Sequence, residues 1–223
     1  MIYLRVYGGT SGAALQVDSM YSAARVTMRP LEYGAGGAYH VSKTFAVGPG
    51  TNIAANAAVW SFRWTSATLT ALITSFKWNW IVTTAFTGAQ VLDHALYVAR
   101  GFNSADSGTG SSTLTMSGNN AKKRASMSAS AVGEIRYATS NTLTAGTRTL
   151  DTQPVMYRGG YGSVQGLGLL DSVSMHDTLD DCYPITLAQN EGIVLNNLTV
   201  FPAAGVLTMA VEVSWFEVPN AGF

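Results

Sequence analysis

The feature that most limits the fold is a period of two near the C-terminus. From Leu207 the apolar residues fall at every second position, Leu207, Met209, Val211, Val213 and Trp215, with Thr208, Ala210, Glu212 and Ser214 between them. Successive side chains of an extended strand point to opposite faces, so this pattern predicts a strand with one buried and one wet face. Residues 193–200 are rich in leucine and β-branched side chains, and FPAAG at 201–205 holds the proline and glycine of a chain reversal. QNEG at 189–192 supplies another turn after Ile185, Thr186 and Leu187. Residues 184–218 therefore read as a meander of two or three adjacent strands. A meander cannot bury its apolar face alone, so the rest of the chain is expected to supply a second sheet.

Further strand patterns lie upstream. Ile2, Leu4 and Val6 alternate with Tyr3, Arg5 and Tyr7 before Gly8 and Gly9. Residues 10–22 have no sustained period and read as an extended arm, and 25–31 form a weak strand broken by Pro30, which suits an edge. YGAGG at 33–37 is read as a joint, and 39–47 as a strand closed by Gly48-Pro-Gly50. WSFRW at 60–64 puts three large aromatics on one face. Residues 67–76 have helical propensity, but Leu72, Phe76, Trp78, Trp80 and Val82 share one parity, which argues for a long strand over 72–84. Residues 91–100 follow, with Leu92, His94, Leu96 and Val98 on one side, and 133–137 resume the pattern.

Between these lie polar excursions. Residues 103–130 are dominated by Ser, Thr, Gly and Asn around one basic cluster, Lys122, Lys123 and Arg124. A loop this long is uncommon in a compact domain and is usually functional. Residues 139–146 read as a turn region, 159–163 and 166–168 as a glycine-rich excursion, and 176–181 as a polar loop. About ten strand candidates, no amphipathic helix and glycine-rich turns predict an all-β chain. The expected architecture is a jelly-roll-like antiparallel β-sandwich with long Gly/Ser-rich loops, its five tryptophans filling the space between sheets. The expected organisation is an N-terminal strand and arm over 1–22 and a single sandwich domain over 23–223.

Charge is scarce. Only 12% of residues are charged, against about 25% in an ordinary domain, and 13 basic residues balance 13 acidic ones. So little net charge does little to hold molecules apart, which suits a subunit covered by partners. The one cysteine, Cys182, allows no intrachain disulfide and fits a reducing compartment. No secretory signal and no apolar run of membrane-spanning length is read from the chain.

The chemistry-bearing residues do not gather into a reactive set. His40, His94 and His176 make no metal-ligand spacing, and Asp93 and His94 point to opposite faces of their strand. His94 is therefore expected to be a packed or interfacial residue. Asp177, Asp180 and Asp181 lack the dense ordering of a calcium loop, and no phosphate-binding or nucleophile-elbow motif occurs. The sequon-like Asn197-Leu-Thr199 lies in an expected strand. Three cations at 122–124 bind phosphates weakly, and a contact to an acidic neighbour suits them better than nucleic acid. No catalytic residue, cofactor or metal is expected.

Several stretches together carry a resemblance: YSAARVTMRPLEY at 21–33, WSFRW at 60–64, GNNAKKR at 118–124, GTRTLDT at 146–152, QNEGIV at 189–194 and VEVSW at 211–215. The chain resembles a group of virion proteins of tailed bacteriophages, similar in turn to the cement or decoration proteins of capsids. That resemblance implies a non-enzymatic structural protein on the capsid surface, made in the host bacterial cytoplasm, that clamps the major capsid protein and pairs with itself as a dimer or trimer. It implies neither a nucleic-acid nor a membrane partner. Candidate intersubunit contacts are Lys122, Lys123, Arg124, Tyr3, Tyr7 and Tyr21. The alternative is a tail, fibre or baseplate component with a glycan-binding face of exposed Tyr and Trp. A sandwich hydrolase with acids hidden across strands is the third reading.

Overall fold

The computed structural model describes residues 37–48, 50, 52–116, 121–123, 127–139, 142–162 and 184–220, and the strand placement of 7–8, 13–14 and 168–169. The chain divides into two units, Met1–Leu31 and Glu32–Phe223. In the first, β1 (Tyr7–Gly8) pairs antiparallel with β2 (Ala13–Ala14). The expected weak strand over 25–31 lies outside the described residues.

The second unit is an antiparallel sandwich. Its strands are β3 (Gly37–Val47), β4 (Ala58–Trp64), β5 (Leu69–Thr84), β6 (Gln90–Arg100), β7 (Ser111–Thr113), β8 (Val132–Ala138), β9 (Thr149–Leu150), β10 (Met156–Gly162), β11 (Gly168–Leu169), β12 (Ile185–Leu187), β13 (Glu191–Asn197) and β14 (Val206–Pro219). The smaller sheet has the order β11-β5-β14-β3, with β12 also on β5. The larger has the order β10-β6-β13-β4-β8-β7, with β9 on β6.

The pairing is nested. β3 pairs with β14, β4 with β13, β5 with β12 and β11, and β6 with β10. One long hairpin has thus been wrapped around a barrel-like core, which is the jelly-roll topology. The C-terminal stretch is consequently not a meander. β12 and β14 lie in the smaller sheet and β13 in the larger, so the chain changes sheets at each connection. Each of these strands finds its partner far upstream, where local turn signals say nothing about which sheet it joins.

Between the sheets lies one apolar core. All five tryptophans are buried there, which period-two patterning anticipated. Rings meet across the gap: Trp60 meets Phe76 edge-on at 5.1 Å, and Phe62 meets Trp215 at 5.2 Å. Such edge-to-face pairs add about 0.5–1.5 kcal/mol each beyond their burial. In β14 the buried parity runs unbroken through Leu207, Met209, Val211, Val213 and Trp215. In β5 it does not. Phe76, Trp78, Trp80 and Val82 are buried, but Ile73 and Ala71 continue the face and Leu72 is only half-buried. The register against β14 passes from Ser75 to Ile73, so Thr74 is an extra residue and switches the parity.

Two glycine-rich or polar stretches are ordered differently from their sequence reading. Residues 156–162 form β10, an edge strand, rather than an excursion. Gly160 packs closely there: a Cβ on it would lie 3.1 Å from Cζ2 of Trp80, a tight contact. Within 103–130, β7 pairs with β8 and extends the larger sheet, so the described part of this stretch is woven into the sandwich.

Candidate interaction surfaces

Three polar clusters order the long segment between β6 and β10, one within the segment and two against the sandwich. The first is a buried ion pair. Arg148 donates through Nε and Nη2 to the two oxygens of Asp106 at 3.0 Å each, and Gly146 N–H donates to Oδ1 at 2.7 Å. The guanidinium also lies 5.4 Å from the Phe102 ring centroid. Around it, Ala58, Ala99, Phe102, Leu143 and Val194 form a second small core on the outer face of the larger sheet. A bidentate pair with this many donors offsets the desolvation of both charges.

The second is Glu217, buried near the end of β14. It accepts from Ser130 Oγ at 2.5 Å, from Ala131 N–H at 3.1 Å and from Trp215 Nε1 at 3.1 Å. Burial pushes its carboxyl above the usual range, although these donors oppose the shift. Tyr39 stacks on Trp215 at 5.5 Å and donates its hydroxyl to Ser128 C=O at 2.9 Å. Burial, with the nearby Glu217 charge, pushes the phenol up to about 12.

The third contains the basic cluster. His40 N–H donates to Ala121 C=O at 2.8 Å and Lys123 N–H to Ala38 C=O at 3.0 Å, so 121–123 lie along the outer edge of β3. Lys122 is half-buried in this strap and Lys123 is exposed. Arg124, Tyr3 and Tyr21 lie outside the described residues, and Tyr7 is placed only as a strand residue facing Ala14. The structure thus places Lys122 and Lys123 side by side in this strap.

Beyond the strap, no described residue pairs with the outer edge of β3. The N–H and C=O of one residue in an antiparallel strand point to the same side. His40 turns its N–H away from β14, so Ser42, Thr44 and Ala46 do the same, and no described strand pairs with them. Ser42 and Thr44 are exposed. Lys43 does not shield this edge, because its Nζ folds back to 4.9 Å from the Tyr137 ring of β8. An open edge of this length is a template for another strand. No local sequence signal marks it: the alternation of 39–47 identifies the strand but not its missing neighbour.

The remaining polar residues do not converge. His94 is fully buried on the inner face beside Phe201, both ring nitrogens lack partners, and burial lowers its pKa to about 3. It is a packed residue, as expected. His40 is exposed and bonds through Nδ1 to Ser214 Oγ at 2.9 Å. Asn197 is buried, its amide donating to Ala54 and Thr199 carbonyls. Asp177, Asp180, Asp181, Cys182 and His176 lie outside the described residues. Among the described residues no group of three or more metal-ligating side chains gathers, and no helix is long and apolar enough to cross a membrane. A shallow, open depression lies on the smaller sheet at Lys77, Trp78, Asn79, Ala210 and Glu212.

No family model matches the chain, and no curated protein matches it. Among solved structures it is similar to that of infectious bursal disease virus, Gx strain, at 15% identity and a TM-score of 0.17, covering 94% of this chain and 46% of that one. T=1 particles derived from infectious bursal virus are similar at 16% identity and a TM-score of 0.18, covering 94% and 45%. The VP2 subviral particle of infectious bursal disease virus is similar at 12% identity and a TM-score of 0.16, covering 94% and 47%. The chain therefore spans less than half the length of these structures. These weak neighbours are viral capsid proteins, and likenesses at such TM-scores carry no argument about this chain.

Proposed function

We propose that the chain is a non-enzymatic virion structural protein, a cement or decoration subunit of a tailed-phage capsid that clamps the major capsid protein. The observation that supports this reading is the open edge of β3. Ser42, Thr44 and Ala46 offer a row of donors and acceptors to an extended segment of a neighbour. Each added strand is weak alone, but repetition over a lattice gives avidity. The low charge noted above fits a subunit covered on several sides, including by copies of itself.

The test is co-sedimentation of purified protein with shells lacking it. Proline is tolerated where an edge N–H faces away from the sheet, so Thr44→Pro is expected to leave the sandwich folded and to abolish shell binding. Binding of the variant at wild-type level would remove the edge from the account. Reconstruction of the native particle gives the location. Density at the tail instead of on the shell would turn the reading to a tail, fibre or baseplate component.

A further inference from the structure

The edge strand β3 carries a charge on its inner face. Lys43 shares the parity of Val41 and Phe45, both buried in the core, and is itself half-buried. Tyr137 of β8 meets both neighbours, the Phe45 ring at 5.6 Å between centroids and the Lys43 Nζ at 4.9 Å. Among the described residues no carboxylate pairs with Lys43. Lys122, opposite Tyr39 in the strap, stands on the same face, and no described carboxylate pairs with it either. A cation turned inward on an edge strand either serves a partner or keeps other strands away. β7 continues the larger sheet beyond β8. A strand added to β3 therefore turns one face to the larger sheet and the other to solvent.

Resting on the reading of this edge under the proposed function, we propose that the segment it receives is acidic: an extended stretch of the capsid protein with an aspartate or glutamate directly opposite Lys43 and apolar residues two positions to either side. In the antiparallel arrangement that the strap makes, Ser42 and Thr44 exchange the backbone hydrogen bonds. Lys43 then falls at a non-hydrogen-bonded position, where facing side chains come closest. A carboxylate there accepts from Nζ in a charge-assisted hydrogen bond, with the larger sheet excluding water on one side. The residues facing Val41 and Phe45 extend the apolar margin of the core. A second copy of β3 is a poor occupant, because two-fold pairing centred on Lys43 sets lysine against lysine. Nucleic acid offers anions to Lys43 but no row of N–H and C=O groups to Ser42, Thr44 and Ala46.

Purified variants are titrated against shells lacking the protein, by co-sedimentation at about 50 and 300 mM salt. Lys43→Met keeps a stem to pack on Tyr137 and removes the charge. It is expected to leave the unfolding midpoint in place, to weaken binding about tenfold at the lower salt and to flatten the salt dependence. Lys43→Arg is expected to bind within about twofold of wild type. So is Lys77→Met, which removes the same charge from the outer face of β5, on the far side of β14 from β3. The proposal is overturned if Lys43→Met binds as tightly as wild type with the same salt dependence, or if Lys77→Met weakens binding equally. It is equally overturned if Lys43→Met changes only self-association, which makes the lysine a guard against pairing of copies. When Thr44→Pro abolishes binding alongside any of these results, the edge stands and only its acidic partner falls. Binding by Thr44→Pro at wild-type level removes the edge, and this inference with it.

Discussion

Two buried titratable residues pull the acid stability of the sandwich in opposite directions. His94 has its pKa lowered from 6.5 to about 3 by burial. It therefore contributes stability that is present above pH 6.5 and is lost as pH falls toward 3, at a slope approaching about 1.4 kcal/mol per pH unit. Glu217 has its pKa raised above 4.5 by burial. Its contribution is present below 4.5 and is lost as pH rises through the raised value. In urea unfolding between pH 4 and 7, His94→Leu is expected to flatten the acid-side loss of stability. Glu217→Gln, which keeps an acceptor for Trp215 and Ala131, is expected to remove the opposing slope. Glu217→Ala leaves those donors without an acceptor and is expected to cost about 1–3 kcal/mol for each donor left buried. The packing of His94 was legible in the sequence, because it shares the parity of Leu92 and Leu96. The tether at Glu217 was not, because the Ala131 N–H comes from 86 residues away.

At the scale of elements, the segment between β6 and β10 is closed on itself by a buried ion pair as well as joined to the sheet by strand pairing. Asp106 and Arg148 are both buried, at 0% and 6% side-chain exposure. Asp106→Ala leaves the guanidinium buried without its partner and is expected to destabilise by about 3–5 kcal/mol, read as a lowered urea midpoint. A change within about 0.5 kcal/mol would mean that water reaches the pair. The strands themselves were legible where the alternation was clean, in β4, β6 and β14. β10 was hidden because glycines at 159, 160 and 162 leave no side-chain pattern to read, although Trp80 packs closely against Gly160. The parity of β5 misled at Leu72 because a bulge at Thr74 has no signature in a strand already rich in β-branched residues.

At the scale of the molecule, alternation and turn chemistry were enough to indicate an all-β jelly roll, but not the assignment of strands to sheets. In a nested hairpin the first strand pairs with the last, β3 with β14, and no local feature encodes that partnership. The candidate interaction surface was legible in part: the basic cluster at 122–124 was visible, whereas the open edge beside it is a property of the finished sheet. Under the proposed function a neighbour on the particle completes this edge. Amide hydrogen exchange on the free subunit and on the native particle tests it most directly. Ser42, Thr44 and Ala46 are expected to exchange rapidly in the free subunit and to become protected on the particle. Equal, rapid exchange of these three amides in both states would contradict it.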